Sequence, residues 1–275
     1  MSAAVPQLPA LLRSVLFVPG NRPDRFDKAL AAGASAVILD LEDAVAPADK
    51  PAARDAVRAW LKPEHRVIVR INSAETPWFA DDLALAAAPG VAALMLPKAE
   101  RVDTLARASA AGARALIPLV ETAAGLAALN ELARAPGVRC LAFGSIDLQV
   151  DLGLRDATED ELLPFRLQLV MASRLAGIAA PLDGVSTAID DEPRLVADVL
   201  RARRLGFGGK LCIHPKQVAA VNTHGVPSAE QQAWARRVID AAGSANGAAV
   251  AVDGKMVDKP VLLRAEAILR EAAAG

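Results

Sequence analysis

Eight short apolar segments, each followed by a stretch with helical spacing, limit how this sequence can fold. The segments are four to six residues long and rich in branched aliphatic residues, which is typical of buried strands. Strands that are apolar on both faces form parallel sheets covered by helices, so the alternation predicts a TIM (β/α)₈ barrel. The predicted strands span 14–18, 36–39, 67–71, 93–96, 115–120, 140–143, 178–182 and 209–213.

A doubly wound open sheet is the alternative architecture, but no Gly-x-Gly-x-x-Gly follows the first strand, which disfavours a dinucleotide-binding version. The barrel domain is expected to cover 1–225, after a loose tail at 1–12, with a long loop over 144–161. Residues 226–275 are expected to form a C-terminal helical extension, a lid or a docking arm. Its predicted elements are a helix at 228–242, a turn at 243–247, a hairpin at 249–258 and a last helix at 260–271.

The composition indicates a soluble cytoplasmic protein with a sizeable hydrophobic core. Hydrophobic residues make up 53% of the 275 residues, yet charges interrupt every apolar run, so no membrane span is expected. No basic leader precedes the first apolar stretch, which argues against a signal peptide. A net charge of −1 argues against a nucleic-acid surface. Cys140 and Cys212 lie in separate apolar runs, which predicts buried thiols instead of a disulfide.

Acidic residues follow several of the predicted strands. In a barrel of this kind the active-site groups come from the C-terminal ends of the strands. Carboxylates that lie close together there repel one another and raise one another's pKa. A hard cation such as Mg²⁺, which prefers oxygen ligands, offsets that repulsion. The sequence therefore predicts a Mg²⁺ site with Arg70 as its cationic partner. The candidates at the strand ends are Asp40, Glu42, Asp43, Arg70, Lys98, Glu121, Asp147, Asp183 and His214.

Each candidate also has a structural interpretation. Glu121 could cap the next helix, Asp147 could bind backbone amides, and Arg70 could form a structural ion pair. Lys98 could neutralise an acid at a strand end. Asp183 before glycine is typical of a turn, and His214 before proline is typical of a loop hydrogen bond.

Seven motifs, in order along nearly the whole chain, resemble the citrate lyase β-subunit family, which includes malyl-CoA and citramalyl-CoA lyases and related aldolases. One departure lies at 144–153, where the family's more common loop sequences are absent although Asp147 is kept. The motifs are Phe17–Pro23, Leu39–Val45, Val69–Asn72, Leu96–Lys98, Leu119–Thr122, Ile213–Pro215 and Asp253–Asp258.

The resemblance implies a TIM barrel that assembles into trimers or hexamers and uses Mg²⁺, or Mn²⁺ in its place. Transferred by motif, Glu121 and Asp147 would be the metal ligands, and Arg70 would contact the substrate oxygens. Asp258, on the C-terminal arm, would act as a base and reach the active site of a neighbouring subunit. Four residues would hold metal-bound waters or support the ligands, namely Asp40, Glu42, Asp43 and Lys98. Three others would line the acyl-CoA site with Arg70, namely Phe17, Arg22 and Lys28.

The activity implied by the resemblance is Mg²⁺-dependent cleavage of a 3-hydroxyacyl-CoA, such as citramalyl-CoA or malyl-CoA, to acetyl-CoA and a 2-oxo acid. One alternative is a citrate lyase β subunit whose substrate is tethered to an acyl carrier protein. A second is an aldolase acting on free hydroxy-oxo acids, and a third is a non-catalytic CoA-binding subunit. Neither a nucleic acid nor a membrane is an expected partner.

Overall fold

A strand overlaps each of the eight predicted segments, and together the eight strands form a closed parallel barrel. The seventh segment, predicted at 178–182, is a strand only at Leu182–Asp183. The computed structural model of the chain describes residues 7–244 and 250–273, so the beginning of the predicted tail and most of the predicted 243–247 turn lie outside the described residues. Neighbouring strands pair in chain order and β1 closes the barrel on β8, which confirms the predicted fold. The strands are β1 Ser14–Pro19, β2 Ala36–Asp40, β3 Val67–Arg70, β4 Val91–Leu96, β5 Leu116–Val120, β6 Ala142–Phe143, β7 Leu182–Asp183 and β8 Gly209–Cys212.

Helices surround the barrel in the order that the alternation predicts. Short 3₁₀ turns at Pro23–Arg25 and Pro47–Asp49 lead into the first two of them. The helices are α1 Phe26–Leu30, α2 Lys50–Trp60, α3 Phe79–Leu83, α4 Val102–Ala110, α5 Ala123–Ala127, α6 Leu129–Arg134, α7 Ser145–Asp151, α8 Glu159–Ala176, α9 Glu192–Leu205 and α10 Lys216–His224.

The prediction of a loop over 144–161 is wrong for 145–151, because those residues form the helix α7. Its apolar residues do not all face the core, because Leu148 is buried while Ile146 and Val150, one helical turn apart, are 45% and 79% exposed. Hydrophobic periodicity therefore gives no signal for this helix. Gly144 begins it and supplies a carbonyl to the amide of Leu148 at 3.1 Å.

Alternation of side chains along the strands divides the core into two layers. Ile38, Ile68 and Ile117 point into the barrel interior with their neighbours. Leu39, Val69 and Val120 point outward and pack beneath the helices. Both layers are apolar, which is why the strands read as continuous hydrophobic runs.

The chain divides into two compact units, one ending at Asn222 and the other beginning at Thr223. The second unit contains α11 Ala229–Ser244, a hairpin of β9 Val250–Val252 and β10 Lys255–Val257, and α12 Lys259–Ala273. Its small core is formed by Ala235, Val238, Val257 and Ala265. Among the described residues, no helix is both long and apolar enough to span a membrane.

Candidate active site

A cavity of about 360 Å³ lies at the C-terminal ends of the barrel strands. Its polar side chains come from the ends of β2, β3 and β5 and from the start of α7. Its remaining wall is largely apolar, with residues from β1, β5, β6 and β8. The lining consists of Phe17, Pro19, Asp40, Asp43, Ala44, Arg70, Leu119, Glu121, Phe143, Gly144, Ser145, Ile146, Asp147, Val185, Leu211 and Ile213.

Arg70 is fixed at the mouth by a two-pronged ion pair with Asp40. Its Nε and Nη2 donate to the two carboxylate oxygens of Asp40, each at 2.7 Å, and the guanidinium lies 4.8 Å from the ring centre of Phe17. Asp40 is 1% exposed and also accepts the backbone N–H groups of Glu42 and Ala44. Asp40 is thus fully engaged in orienting Arg70 and the following loop. The sequence predicted it as a supporting residue.

Glu42 is a buried acid beside two cations. Its Oε1 accepts from Nζ of Lys98 at 3.3 Å, and its Oε2 lies 3.0 Å from Nη1 of Arg70 without accepting a hydrogen bond from any described residue. Burial raises the pKa of Glu42 to about 7, against the lowering effect of Arg70. Asp43 is more exposed and contacts Nη1 of Arg70 at 3.4 Å.

Glu121 ends β5 with a carboxylate that is 2% exposed. Its Oε1 accepts the backbone N–H of Lys98 at 2.7 Å, and Lys98 has a left-handed backbone (φ 45°), a conformation that costs a non-glycine residue about 1–3 kcal/mol. Any side chain at Gly144 would overlap the Glu121 carboxylate, so this glycine lets the start of α7 approach it. Burial, followed by the charges of Glu42 and Asp147, raises the pKa of Glu121 to about 8.

These carboxylates fit a hard divalent cation. Glu121 and Asp147 line the same cavity, and the charge of Asp147 raises the pKa of Glu121. In the described ranges no three His, Cys, Asp or Glu side chains form a ready-made metal cage. Mg²⁺ does not require one, because it is usually held by one or two carboxylates and keeps several waters. The Oε2 of Glu42, which is ion-paired with Arg70 but accepts no hydrogen bond from a described residue, is an acceptor suited to such a water.

The raised pKa values predict that proton binding and metal binding compete. In the unfolded chain Glu42 and Glu121 titrate near 4.5, whereas in the fold their pKa values are about 7 and about 8. Their stabilising effect is therefore fully present below about pH 4.5 and is lost as the pH rises through 7 and 8. We expect Mg²⁺ to raise the melting temperature more at about pH 9 than at about pH 6. Equal shifts at both pH values would contradict this assignment.

Four other predicted residues of the barrel unit lie outside the cavity lining, namely Arg22, Lys28, Glu42 and Lys98. Arg22 pairs with Asp24 at 3.0 Å in the turn before α1, and Lys28 is exposed on α1. Their role in CoA binding stays a prediction. Asp258 belongs to the C-terminal unit, where its Oδ1 accepts the N–H of Val261 at 3.1 Å at the start of α12.

Two strand-end candidates have structural partners instead. Asp183 is fully buried and accepts from Nε of Arg166 at 2.8 Å, with Nζ of Lys210 3.9 Å from its other oxygen. His214 accepts the backbone N–H of Lys216 on Nδ1 at 3.2 Å. Arg166 and Lys210 were not predicted as partners of Asp183, since neither lies next to it in the sequence.

The sequence and fold are similar to those of several known proteins. The sequence model of the HpcH/HpaI aldolase/citrate lyase family matches residues 13–215. A citrate lyase subunit beta-like protein of Deinococcus radiodurans is 38% identical over an alignment of 278 positions, which covers 95% of this chain and 97% of that protein. A (3S)-malyl-CoA thioesterase of Cereibacter sphaeroides is 35% identical over an alignment of 271 positions, which covers 95% of each chain. A similar crystal structure is that of the protein CitE from Mycobacterium tuberculosis in complex with magnesium, acetoacetate and coenzyme A. Its sequence is 42% identical, the match covers 96% of this chain and 99% of that chain, and the TM-score is 0.86.

Proposed function

The chain belongs to the HpcH/HpaI aldolase/citrate lyase family, and on that premise we propose that it is a Mg²⁺-dependent carbon–carbon lyase. Its substrate would be a 3-hydroxyacyl-CoA that carries a carboxylate, such as citramalyl-CoA or malyl-CoA, and its products acetyl-CoA and a 2-oxo acid. The observation that carries the proposal is the pair of carboxylates, Glu121 and Asp147, in one cavity with the fixed guanidinium of Arg70. The related structure with magnesium, acetoacetate and coenzyme A supports it.

In this proposal Glu121 and Asp147 would hold the metal, and Glu42 and Asp43 would hold its water ligands. When bound, Mg²⁺ polarises the hydroxyl and carboxylate oxygens of the substrate and so makes the hydroxyl more acidic. Lys98 keeps Glu42 and Glu121 in place, because its side chain and its backbone N–H each bind one of them.

The reaction then transfers the hydroxyl proton to a base, breaks the C–C bond and returns a proton to the enolate carbon. The hydroxyl proton passes to a base, for which Asp258 is the proposed residue, and the hydroxyl carbon becomes the carbonyl of the 2-oxo acid. The electron pair of the broken C–C bond passes to the thioester and forms its enolate, which takes up a proton to become acetyl-CoA. Arg70, always charged and held rigid by Asp40, is positioned to donate to the enolate oxygen.

Release of a 2-oxo acid tests the proposal. Malyl-CoA, citramalyl-CoA and citryl-CoA would each be incubated with the protein, once with Mg²⁺ and once with EDTA. We expect Mg²⁺-dependent release of a 2-oxo acid from one of the esters, and its identity names the substrate. No release from any ester by folded, metal-bound protein would refute the proposal for free CoA esters.

A second candidate function is hydrolysis of the thioester, which the relative named (3S)-malyl-CoA thioesterase favours. Hydrolysis would release free CoA and leave the hydroxy acid intact, so the same incubations distinguish the two reactions. A third candidate arrangement is that an acyl carrier protein presents the substrate. Activity on a carrier-bound ester alone would favour that arrangement.

Two substitutions at Asp258 separate a catalytic role from a structural one. The carboxylate of Asp258 caps α12, and asparagine retains that capping ability whereas alanine does not. If Asp258 is the base, Asp258→Asn and Asp258→Ala both lower kcat by about 10²–10⁴-fold. Mg²⁺ affinity, measured by calorimetry, should stay unchanged in both. A variant Asp258→Asn with full activity would assign the residue to the helix cap alone.

We further propose that the chain assembles into a trimer or hexamer in which the C-terminal unit serves a neighbouring subunit. The hairpin turn at Asp253–Gly254 and the compact core of this unit support a self-contained arm. Mixing an Asp258→Ala protein with an Arg70→Met protein tests the arrangement, since mixed oligomers would regain activity only if Asp258 acts across subunits.

A further inference from the structure

The helix α2 turns two basic side chains toward the interior. Lys50 and Arg54 are 6% and 7% exposed and stand one helical turn apart on the buried face that also contains Ala53 and Val57. Burying a charged side chain is costly unless it is paired or hydrogen-bonded. The contacts of Lys50 and Arg54 therefore show which loops the helix α2 holds in place.

Lys50 holds the backbone of the acidic loop after β2. Its Nζ donates to the carbonyl oxygens of Leu41 and Glu42, both at 2.9 Å. The same ammonium lies 5.1 Å from the ring centre of Trp78, a distance at which the aromatic face attracts a cation. Burial lowers the pKa of Lys50, against the raising effect of nearby acids, of which Glu42 is the strongest.

The loop is thereby held from two sides. Asp40 accepts the N–H groups of Glu42 and Ala44 at 2.9 and 3.1 Å, while Lys50 donates to the carbonyls of Leu41 and Glu42. Both backbone groups of Glu42 are therefore bound to buried charged side chains. The direction in which the Glu42 side chain leaves the backbone is consequently fixed.

Arg54 performs a similar task for the next loop. Its Nε donates to Asp82 at 2.6 Å, and the other oxygen of Asp82 accepts the backbone N–H and the side-chain amide of Asn72, two residues beyond Arg70. One buried face of α2 thus anchors the loops after β2 and β3. Lys50 contacts its loop directly, which makes it the better test of the idea.

We propose that Lys50 is a positioning residue that holds the loop 41–44 so that the Glu42 carboxylate meets the metal-bound water. This role rests on the proposed function, because it assigns Glu42 to the hydration shell of the metal. Lys50 itself does not line the cavity. Residues that orient metal ligands and their waters typically change metal affinity or activity by about 10–100-fold when they are replaced.

The experiment compares Lys50→Met, Lys50→Arg and Lys62→Met. Methionine keeps the length and apolar character of the lysine stem but cannot donate, whereas arginine can still donate to two carbonyls. Lys62 is an exposed lysine just after α2 and serves as the matched control. The measurements are Mg²⁺ affinity by calorimetry, kcat and KM on the ester that the wild type cleaves, and hydrogen exchange of the Glu42 and Ala44 amides.

We expect Lys50→Met to weaken Mg²⁺ binding about tenfold and to lower kcat about 100-fold with a smaller change in KM. Exchange of the two loop amides should accelerate, whereas exchange in α9 should not. Lys50→Arg should recover most of both losses, and Lys62→Met should match the wild type. Unchanged affinity and kcat in folded Lys50→Met protein would overturn the proposal, as would losses that only follow the fraction of unfolded protein.

If the proposed function is wrong, these measurements give a different set of results from those expected if only the role of Lys50 is wrong. If the wild type cleaves no thioester, the lyase proposal fails by itself. Lys50 is then judged by metal affinity and amide exchange, which need no substrate. No change in either measurement would overturn the positioning role as well.

Discussion

Replacing Arg70 by methionine should lower kcat by about 10²–10³-fold, the usual loss when a donor to a developing oxyanion is removed. The same substitution should destabilise the fold by about 3–5 kcal/mol, because it leaves a buried carboxylate without its partner. That carboxylate is Asp40, which is 1% exposed and receives two charged hydrogen bonds of 2.7 Å from Arg70. Denaturant unfolding and steady-state kinetics measure the two effects separately.

Two further variants distinguish catalysis from stability at this position. Adding Asp40→Asn to Arg70→Met removes the orphaned charge, so it should restore part of the stability and none of the activity. Arg58→Met, at an exposed position on α2, is the matched control and should retain both. An Arg70→Met protein that is unstable but fully active at low temperature would limit Arg70 to a structural ion pair.

Replacing Asp147 by alanine should abolish Mg²⁺-dependent turnover, with a loss of about 10³-fold or more, because a Lewis acid contributes several kcal/mol to such a barrier. The fold should not lose stability. Asp147 is half-buried in the first turn of α7, and its charge raises the pKa of Glu121, so its removal relieves a repulsion. Calorimetry with Mg²⁺ and thermal unfolding of the metal-free protein check the two parts of this prediction.

Asp160→Ala is the control for Asp147→Ala, since it removes an exposed aspartate from α8 by the same substitution. It should leave Mg²⁺ affinity and turnover unchanged. Normal turnover in Asp147→Ala would remove Asp147 from the ligand set. The metal would then depend on Glu121 and the acids after β2.

The barrel was predictable because each strand carries its own signal. The strands are short, apolar on both faces and regularly separated, so local sequence and global fold agree. The rule that active-site groups follow the strands correctly brought Asp40, Arg70 and Glu121 to one cavity. The predicted family is confirmed by the match over residues 13–215.

What the sequence could not predict depends on contacts between distant residues. Lys50 and Arg54 have the spacing of an ordinary basic helix surface, and their partners lie in loops that only the fold brings near. The helix α7 was not predicted because its exposed Val150 breaks the apolar pattern of a buried helix. Its position depends on Gly144 fitting against Glu121. The sequence pattern thus indicated which side chains surround the cavity, whereas the contacts that hold each side chain in place depend on the packing of the fold.

The most direct test of the lyase assignment is to follow both halves of one thioester by mass spectrometry in a single incubation. With Mg²⁺, we expect acetyl-CoA and a 2-oxo acid in equal amounts, and neither product after EDTA. Free CoA together with the intact hydroxy acid would contradict C–C cleavage and establish thioester hydrolysis in its place.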